Sequence, residues 1–479
     1  MSLIKNTLAF ILLCLFVGTL MGQKVTVSRE ISVKNNYTYD VLPNISDHII
    51  FYHDRGLEHN FEIYDNKLRY INTIQPEFEK RSIKPIGVLP MDSIFRFYYY
   101  YTDETNAFIK VRTYDKNVRL TDSITLWQKD KKFLSNSPRF AYSKDKSKVL
   151  IFTPDERNLY LQLFDNIKMK LIFEFKLIIK EINLKSDFEK IAVTNEGEIF
   201  ILTRKSSFWD RKSSNSFTLA RIINKENIYL HRFSPEANEI SDLKMDYDEK
   251  NKRIVFAGLT TFGDDSKSNG YFGFSILPDE LPDDAEILIN KYTSEFIAEA
   301  TGKKPGKTKE LADFKLKDIF VNNEGGVIMI LESVKEFTRR AQMISPTQFG
   351  DYFPSRGFID YYHEDLLIFA THPDGKEHWK KILFKKQFSQ DDGGMYSSYF
   401  LFKTPSRIRL VYNDEIKNSN TVSEYIIDPI GNAERKSVLS TEYQNLRLRF
   451  RDAIQIGPNS IIVPSEKSWK INLVRIDYE

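Results

Sequence analysis

The run EIYDNKLRY at 62–70 carries an apolar strand into a corner made by Tyr64, Asp65, Asn66 and Lys67, and a second strand leaves it. Asp and Asn suit such a corner because they tolerate left-handed φ and hydrogen-bond their own backbone. The pattern returns as TYDKN at 113–117, LFDNI at 163–167, INKEN at 223–227, THPDG at 371–375 and IDPIG at 427–431. The spacing is about 50 residues, with one longer gap. A repeat of that size built only from strands predicts a β-propeller, because one unit cannot bury its own faces and must stack on the next.

Around these corners the strands group in fours. The first set is 38–44, 47–52, 58–65 and 67–74, and further sets fill 81–127, 137–180, 188–233, 240–291, 315–385 and 396–440. Two sets share an inner hairpin: IAVTNEGEIFIL at 191–202 and IFVNNEGGVIMI at 319–330, each turning through an Asn and a Gly. The last set holds three strands, 450–456, 459–464 and 469–477. Upstream, 24–33 alternates Val25, Val27, Ile31 and Val33 against Thr26, Ser28, Glu30 and Ser32, a strand with no hairpin partner beside it. It is expected to complete the last set by pairing along 469–477, which removes the open edge of the ring. The expectation is an all-β chain of eight four-stranded blades closed by the N-terminal strand, with seven blades as the alternative.

With 41% hydrophobic and 14% aromatic residues over 479 positions, the chain has material for a large core and does not read as disordered. A net charge of +3, with Lys and Arg spread along the chain, supplies no basic patch for nucleic acid. Residues 1–22 read as a secretory signal peptide with Lys5 before an apolar stretch from Leu8 to Leu20, and cleavage after Gly22 is expected. The sole cysteine, Cys14, lies in that segment, so the mature domain, 23–479, is expected to fold without disulfides or thiolate chemistry. After the signal no apolar run reaches the ~20 residues of a membrane-spanning helix.

Connections between strands two and three, and between blades, emerge on one face of a propeller. On that face fall all six long insertions: 205–216, 261–269, 292–314, 335–362, 386–397 and 413–420, over blades four to seven. Long loops on a rigid scaffold are where binding usually resides. In the 292–314 insertion, TSEFIAEA at 293–300 has helical spacing with a Thr or Ser cap and ends before Gly302. The 335–362 insertion mixes Phe337, Phe349, Tyr352, Phe353, Phe358, Tyr361 and Tyr362 with Arg339, Arg340 and Arg356. Such a mixture is the composition of protein-interface anchors. Phe349, Tyr352, Phe353, Arg356, Phe358, Tyr361 and Tyr362 are therefore the candidate binding residues, against the alternative that the rings pack onto their own blade.

Signals for chemistry are sparse. His363 and His372 bracket a strand that should hold them ~25 Å or more apart, too far for one metal. The stretch DDSKSNG at 264–270 places Lys267 where a calcium loop needs an oxygen ligand, so a polar turn is expected. No Gly-x-Ser-x-Gly elbow occurs. Asp391 and Asp392 could serve as paired carboxylates in glycoside chemistry, though a flexible turn is the stronger reading. No catalytic residue, metal or cofactor is assigned.

DGKEHWKKILFKKQ at 374–387, DDGGMYSS at 391–398 and LVYND at 410–414 together resemble a pattern in uncharacterised secreted β-propeller proteins of Bacteroidota. That resemblance implies a cell-envelope protein and supplies no catalytic residues. With the chain ending on a blade strand, periplasmic retention is expected over surface export. Two functional classes follow. One is a non-enzymatic protein-binding or scaffold module, attached to an outer-membrane assembly such as the type IX secretion translocon. The other is a hydrolase or lyase acting on glycans or peptides, with carboxylates or a nucleophile converging at the channel.

Overall fold

The computed structural model describes residues 23–478 apart from 35–37, 132–135, 180–181, 185–186, 205–216, 234–238, 264–265, 281–283, 286, 323, 340–357, 415, 417–420 and 441–444. Its strands form a ring of eight antiparallel blades, a β-propeller. Blade one is Thr38–Ile45, His48–Asp54, His59–Asp65 and Tyr70–Ile74. Blade six is Phe314–Val321, Val327–Arg339, Phe358–Thr371 and Glu377–Leu383. First strands of successive blades touch, as Thr38–Ile45 does Lys84–Pro90 and Phe188–Val193 does Glu239–Asp248, so they line the centre. Blade five departs most from the pattern. Its outer strand is only Asn290–Lys291, and the short Asp284–Ala285 pairs in parallel with Ile228–Phe233 of blade four.

The repeated corner is built as its composition implies. Asp65 Oδ1 accepts from the backbone N–H of Lys67 at 2.9 Å and of Arg69 at 2.8 Å. Asp115 does the same for Asn117 and Arg119, both at 2.8 Å, and Asp428 for Ile430 at 3.1 Å and Asn432 at 2.8 Å. Each of these corners closes through a left-handed residue: Leu68 at φ 58°, Val118 at 58° and Gly431 at 87°. For a side chain with a Cβ that conformation costs roughly 1–2 kcal/mol. Leu68 and Val118 are only 3% and 4% exposed, and burial of such side chains contributes a comparable roughly 1.5–3 kcal/mol.

The core is divided among the interfaces between blades. Blades one and two meet through Tyr52, Phe61, Phe95, Phe97, Tyr99 and Tyr114. Their rings pack in the offset and edge-on arrangements that aromatic quadrupoles favour, with Phe95 and Tyr114 stacked at 5.2 Å and Phe61 and Phe97 edge-on at 5.9 Å. Blades seven and eight meet through Phe402, Val411, Val463 and Ile476, and blades eight and one through Phe51, Tyr64, Ile462 and Leu473.

Blade eight consists of Ile454–Gly457, Ser460–Lys467 and Lys470–Asp477, completed from the other end of the chain by Lys24–Val27 and Ile31–Ser32. The N-terminal segment thus closes the ring where it was expected to. It is not one uninterrupted strand, and its four apolar residues do not share a face. Val27 pairs with Val474 but Ile31 with Ile471, a shift of one in register across 28–30. Ser28 fills the irregularity: its N–H reaches Leu473 O at 2.9 Å and its Oγ accepts from Leu473 N at 2.8 Å. Because side chains alternate along a strand, a one-residue shift exchanges the faces. Val25 accordingly packs toward blade seven, while Ile31 and Val33 enter the interface with blade one. Val27 remains 39% exposed.

Removing residues 23–34 should lower the urea midpoint sharply. Loss of Val25, Ile31 and Val33 forfeits roughly 1.5–3 kcal/mol of burial each and bares the edge of Lys470–Asp477. A midpoint equal to that of the chain beginning at Gln23 would contradict closure by this segment.

Candidate functional site

In blade six the second and third strands continue past the ring as an arm. Val334 to Arg339 pair with residues from His363 back to Phe358, and Gln387–Gln390 adds a third strand along 360–363. The two ends of the expected 335–362 loop, 335–339 and 358–362, are therefore sheet, favoured by their aromatic and β-branched residues, and the stretch between them lies outside the described residues. An irregularity between Glu332 and Val334 marks where the arm leaves the blade, the usual role of a bulge that re-aims a strand.

Beneath that bulge lies a buried polar cluster. Glu332, His363 and Lys385 are 0%, 2% and 4% exposed. Lys385 Nζ donates to Glu332 Oε1 at 2.9 Å, His363 O at 3.0 Å and Gln387 Oε1 at 2.7 Å, so all three of its protons are used. Glu332 Oε2 accepts from Ser398 Oγ at 2.8 Å and lies 3.0 Å from His363 Nδ1, with Lys317 Nζ 3.5 Å away. Burial alone would raise the Glu332 carboxyl, but the Lys385 ammonium together with His363 and Lys317 outweighs it, holding the group well below the usual carboxylate range. Burial lowers the His363 pKa despite Glu332 beside it. The neutral ring then fits its partners with Nδ1–H donating to Glu332 and Nε2 accepting from Arg451 Nη2 at 3.2 Å.

The arm has two unlike faces. On one, Tyr361 and His363 lie against Gly394, whose left-handed φ of 66° favours glycine and where an added Cβ would stand a tight 3.2 Å from His363 Nε2. Asp391 fastens this side by accepting from Ile359 N at 2.8 Å, and Asp392 accepts from Ser389 Oγ and Gly394 N, both at 2.8 Å. These two carboxylates build the turn expected of them. On the other face Phe337, Tyr362 and Phe388 form a contiguous group, with ring centroids 5.8 Å apart for Phe337 and Tyr362 and 5.0 Å for Tyr362 and Phe388. Phe337 is 55% exposed and Phe358, on the same face by register, 52%.

Of the expected binding residues, Phe358, Tyr361 and Tyr362 lie on the arm, Tyr361 on its covered side. Phe349, Tyr352, Phe353 and Arg356 lie outside the described residues, as do the insertion 205–216 and Asp264 and Asp265. The neighbouring insertion contains the anticipated helix, Ser294–Thr301, capped by Thr293 and ended by a left-handed Gly302. Phe388 and the Glu332, His363 and Lys385 cluster had not been singled out. A lone Glu at the end of the apolar run Val327 to Leu331 was the visible signal for that cluster. Among the described residues no group of three or more His, Cys, Asp and Glu is placed to hold a metal ion, and no helix is long and apolar enough to cross a membrane.

Neither protein-family models nor curated protein sequences match the chain. Solved structures do resemble it. The Dos1 propeller is 10% identical with a TM-score of 0.46, the match covering 94% of each chain. The polysaccharide lyase Uly1 is 8% identical at 0.43, covering 95% of this chain and 100% of that one. The β-propeller domain of the Trilobed protease from Pyrococcus furiosus is 11% identical at 0.39, covering 84% and 98%. No functional argument follows from likeness at this level.

Two of the perturbed groups at the arm base, His363 and Glu332, titrate in the acid range and give the same sign of pH dependence. A histidine with a lowered folded pKa contributes its full stability above the unfolded value of about 6.5 and loses it as the pH falls below. A carboxylate held low acts alike beneath its unfolded value of about 4.3. Amide exchange at 332–335 and 361–363, corrected for intrinsic rates, should therefore lose protection between about pH 7 and pH 5. Replacement of His363 by Gln should flatten that change; protection constant with pH in the unsubstituted protein would contradict the assignment.

Proposed function

We propose that this propeller is a non-enzymatic protein-binding or scaffold module of the cell envelope, docking through the aromatic face of the blade-six arm. The observation that carries this reading is the group of Phe337, Phe358, Tyr362 and Phe388 on a sheet whose opposite face is fixed to the ring. Two half-exposed phenylalanines on a braced strand pair supply area for a partner with little ordering cost. The signal-like segment at 1–22 supports export, and the resemblance of 374–387, 391–398 and 410–414 to Bacteroidota propellers supports a periplasmic site. An outer-membrane assembly such as the type IX secretion translocon is the partner class we favour. The competing reading, a hydrolase or lyase of glycans or peptides, requires reactive groups open to substrate. Glu332 and His363 do not meet that requirement, being buried and engaged with Lys385, Ser398 and Arg451.

Replacing Phe337 and Phe358 together by Ser should abolish co-purification of envelope partners while leaving the thermal midpoint within about 2 °C, since both rings are half exposed. An interface aromatic is worth roughly 2 kcal/mol or more, so two should weaken binding by roughly three orders of magnitude. Unchanged co-purification would refute the arm as the docking element.

A further inference from the structure

The strand Phe358–Thr371, which carries the arm at one end, runs at the other into the turn HPDGKEH at 372–378, with a histidine on either side. Against the outer strand Glu377–Leu383, Thr371 stands opposite Glu377 and Ala370 opposite Trp379, so His378 is the extra residue of a bulge. Bulges commonly re-aim a side chain. Here the ring of His378 lies beside that of His372, the two centroids 4.5 Å apart and the planes tilted by 32°. Both residues are exposed, and among the described residues no hydrogen bond engages either ring.

The backbone beneath the pair is held at many points. His372 N donates to Lys376 O at 2.8 Å and Gly375 N to His372 O at 3.0 Å. Pro373 fixes its own φ and restricts His372 before it, and Gly375 supplies the left-handed step at φ 89°. Asp374 is committed within the turn, accepting from Lys376 N at 3.0 Å and pairing with Lys376 Nζ at 2.9 Å. Blade five grips the turn from one side: Asn290 Nδ2 donates to Gly375 O at 2.8 Å, Asn290 Oδ1 accepts from Glu377 N at 3.2 Å, and Tyr271 Oη donates to Glu377 Oε2 at 2.7 Å. Blade seven grips it from the other, where Pro429 O accepts from Trp379 Nε1 at 3.1 Å.

We infer that His372 and His378 together chelate one divalent transition-metal ion of the class that imidazole favours, copper(II) most tightly, then nickel(II) or zinc(II). A metal ~2.1 Å from a ring nitrogen stands ~3.2 Å from that ring's centre, so one ion joining two imidazoles at right-angled to tetrahedral positions sets their centres roughly 4.5–5.2 Å apart. The spacing of 4.5 Å lies within that span. Exposed rings turn about Cβ–Cγ, so each can present a nitrogen to the ion. The fastened backbone already holds the rings together, which keeps the ordering cost of binding small. Two protein ligands leave the remaining positions to water or to a donor on another molecule. Magnesium and calcium, which take oxygen ligands, do not suit the pair. The site lies at the opposite end of its strand from the arm and does not depend on the docking reading.

Titration calorimetry of the untagged full chain with Cu²⁺, Ni²⁺ and Zn²⁺, and with Mg²⁺ as the control, tests the assignment. Each of the three transition ions should saturate a site at one ion per chain, with Cu²⁺ tightest and Mg²⁺ not binding there. His372→Ala and His378→Ala should each weaken that site at least roughly tenfold. His378→Phe, which keeps a stacked ring but removes its nitrogens, should do the same, separating ligation from ring packing. Both side chains are exposed, so the variants should keep the thermal midpoint of the unsubstituted chain. Affinity unchanged in the alanine or phenylalanine variants, binding of Mg²⁺ equal to that of Cu²⁺, or no saturation by any of the three ions below millimolar concentration would overturn the inference.

Discussion

No blade of this ring can bury both faces of its sheet alone, and the structure follows from that constraint. Each interface is a two-sided layer, such as Phe61 and Tyr52 against Phe95 and Phe97 between blades one and two. A ring of such layers is complete only if the last blade also has neighbours on both sides. Blade eight achieves this with strands from both chain ends, and the register shift at Ser28 allows one segment to serve both interfaces. Val25 faces blade seven, and Ile31 and Val33 face blade one. Sheet edges that would otherwise offer unpaired N–H and C=O groups to other chains are thereby covered.

A closed ring is a rigid base, and the blade-six arm depends on it. An isolated strand pair is marginal in water. Here the buried ion pair of Glu332 and Lys385, with His363, Ser398 and Gln387 completing its hydrogen bonds, fixes the point at which the arm departs. Buried charges of this kind contribute less to net stability than to a single geometry, because desolvation offsets much of their attraction. Arg451 links that base to the turn Phe450–Asp452, which is itself held by Arg449 pairing with Asp452 and Glu466, so blade eight also helps to fix the arm.

The fold was legible in the sequence because it is written locally. The corner at Asp65 repeats with its side-chain cap intact at Asp115 and Asp428, and two-residue alternation marks strands on either side. Ring closure was legible as well, since an unpaired strand at one end matched a missing one at the other. What escaped was non-local. The parity change at Ser28 depends on hydrogen bonds to Leu473, 445 residues away, and nothing in the alternation of 24–33 announces it. The brace of the arm joins Glu332, His363, Lys385, Ser398 and Arg451, which become neighbours only after two blades have formed. Trp469 read as the start of a strand; its exposure and left-handed backbone are properties of the finished turn.

The central claim, that the two chain ends form one blade, is open to a direct chemical measurement. The only cysteine of the sequence, Cys14, lies in the segment expected to be removed, so paired cysteines can be introduced into an otherwise thiol-free domain. Thr26 and Arg475 lie directly opposite each other in the antiparallel pair. Such positions have Cα atoms roughly 4.5–5.5 Å apart, within reach of a disulfide. In a protein carrying Thr26→Cys and Arg475→Cys, mild oxidation should give a monomeric cross-link in nearly every molecule and shift the unfolding midpoint upward. A protein that stays reduced, or that links only between molecules, would contradict the closure on which the rest of the account stands.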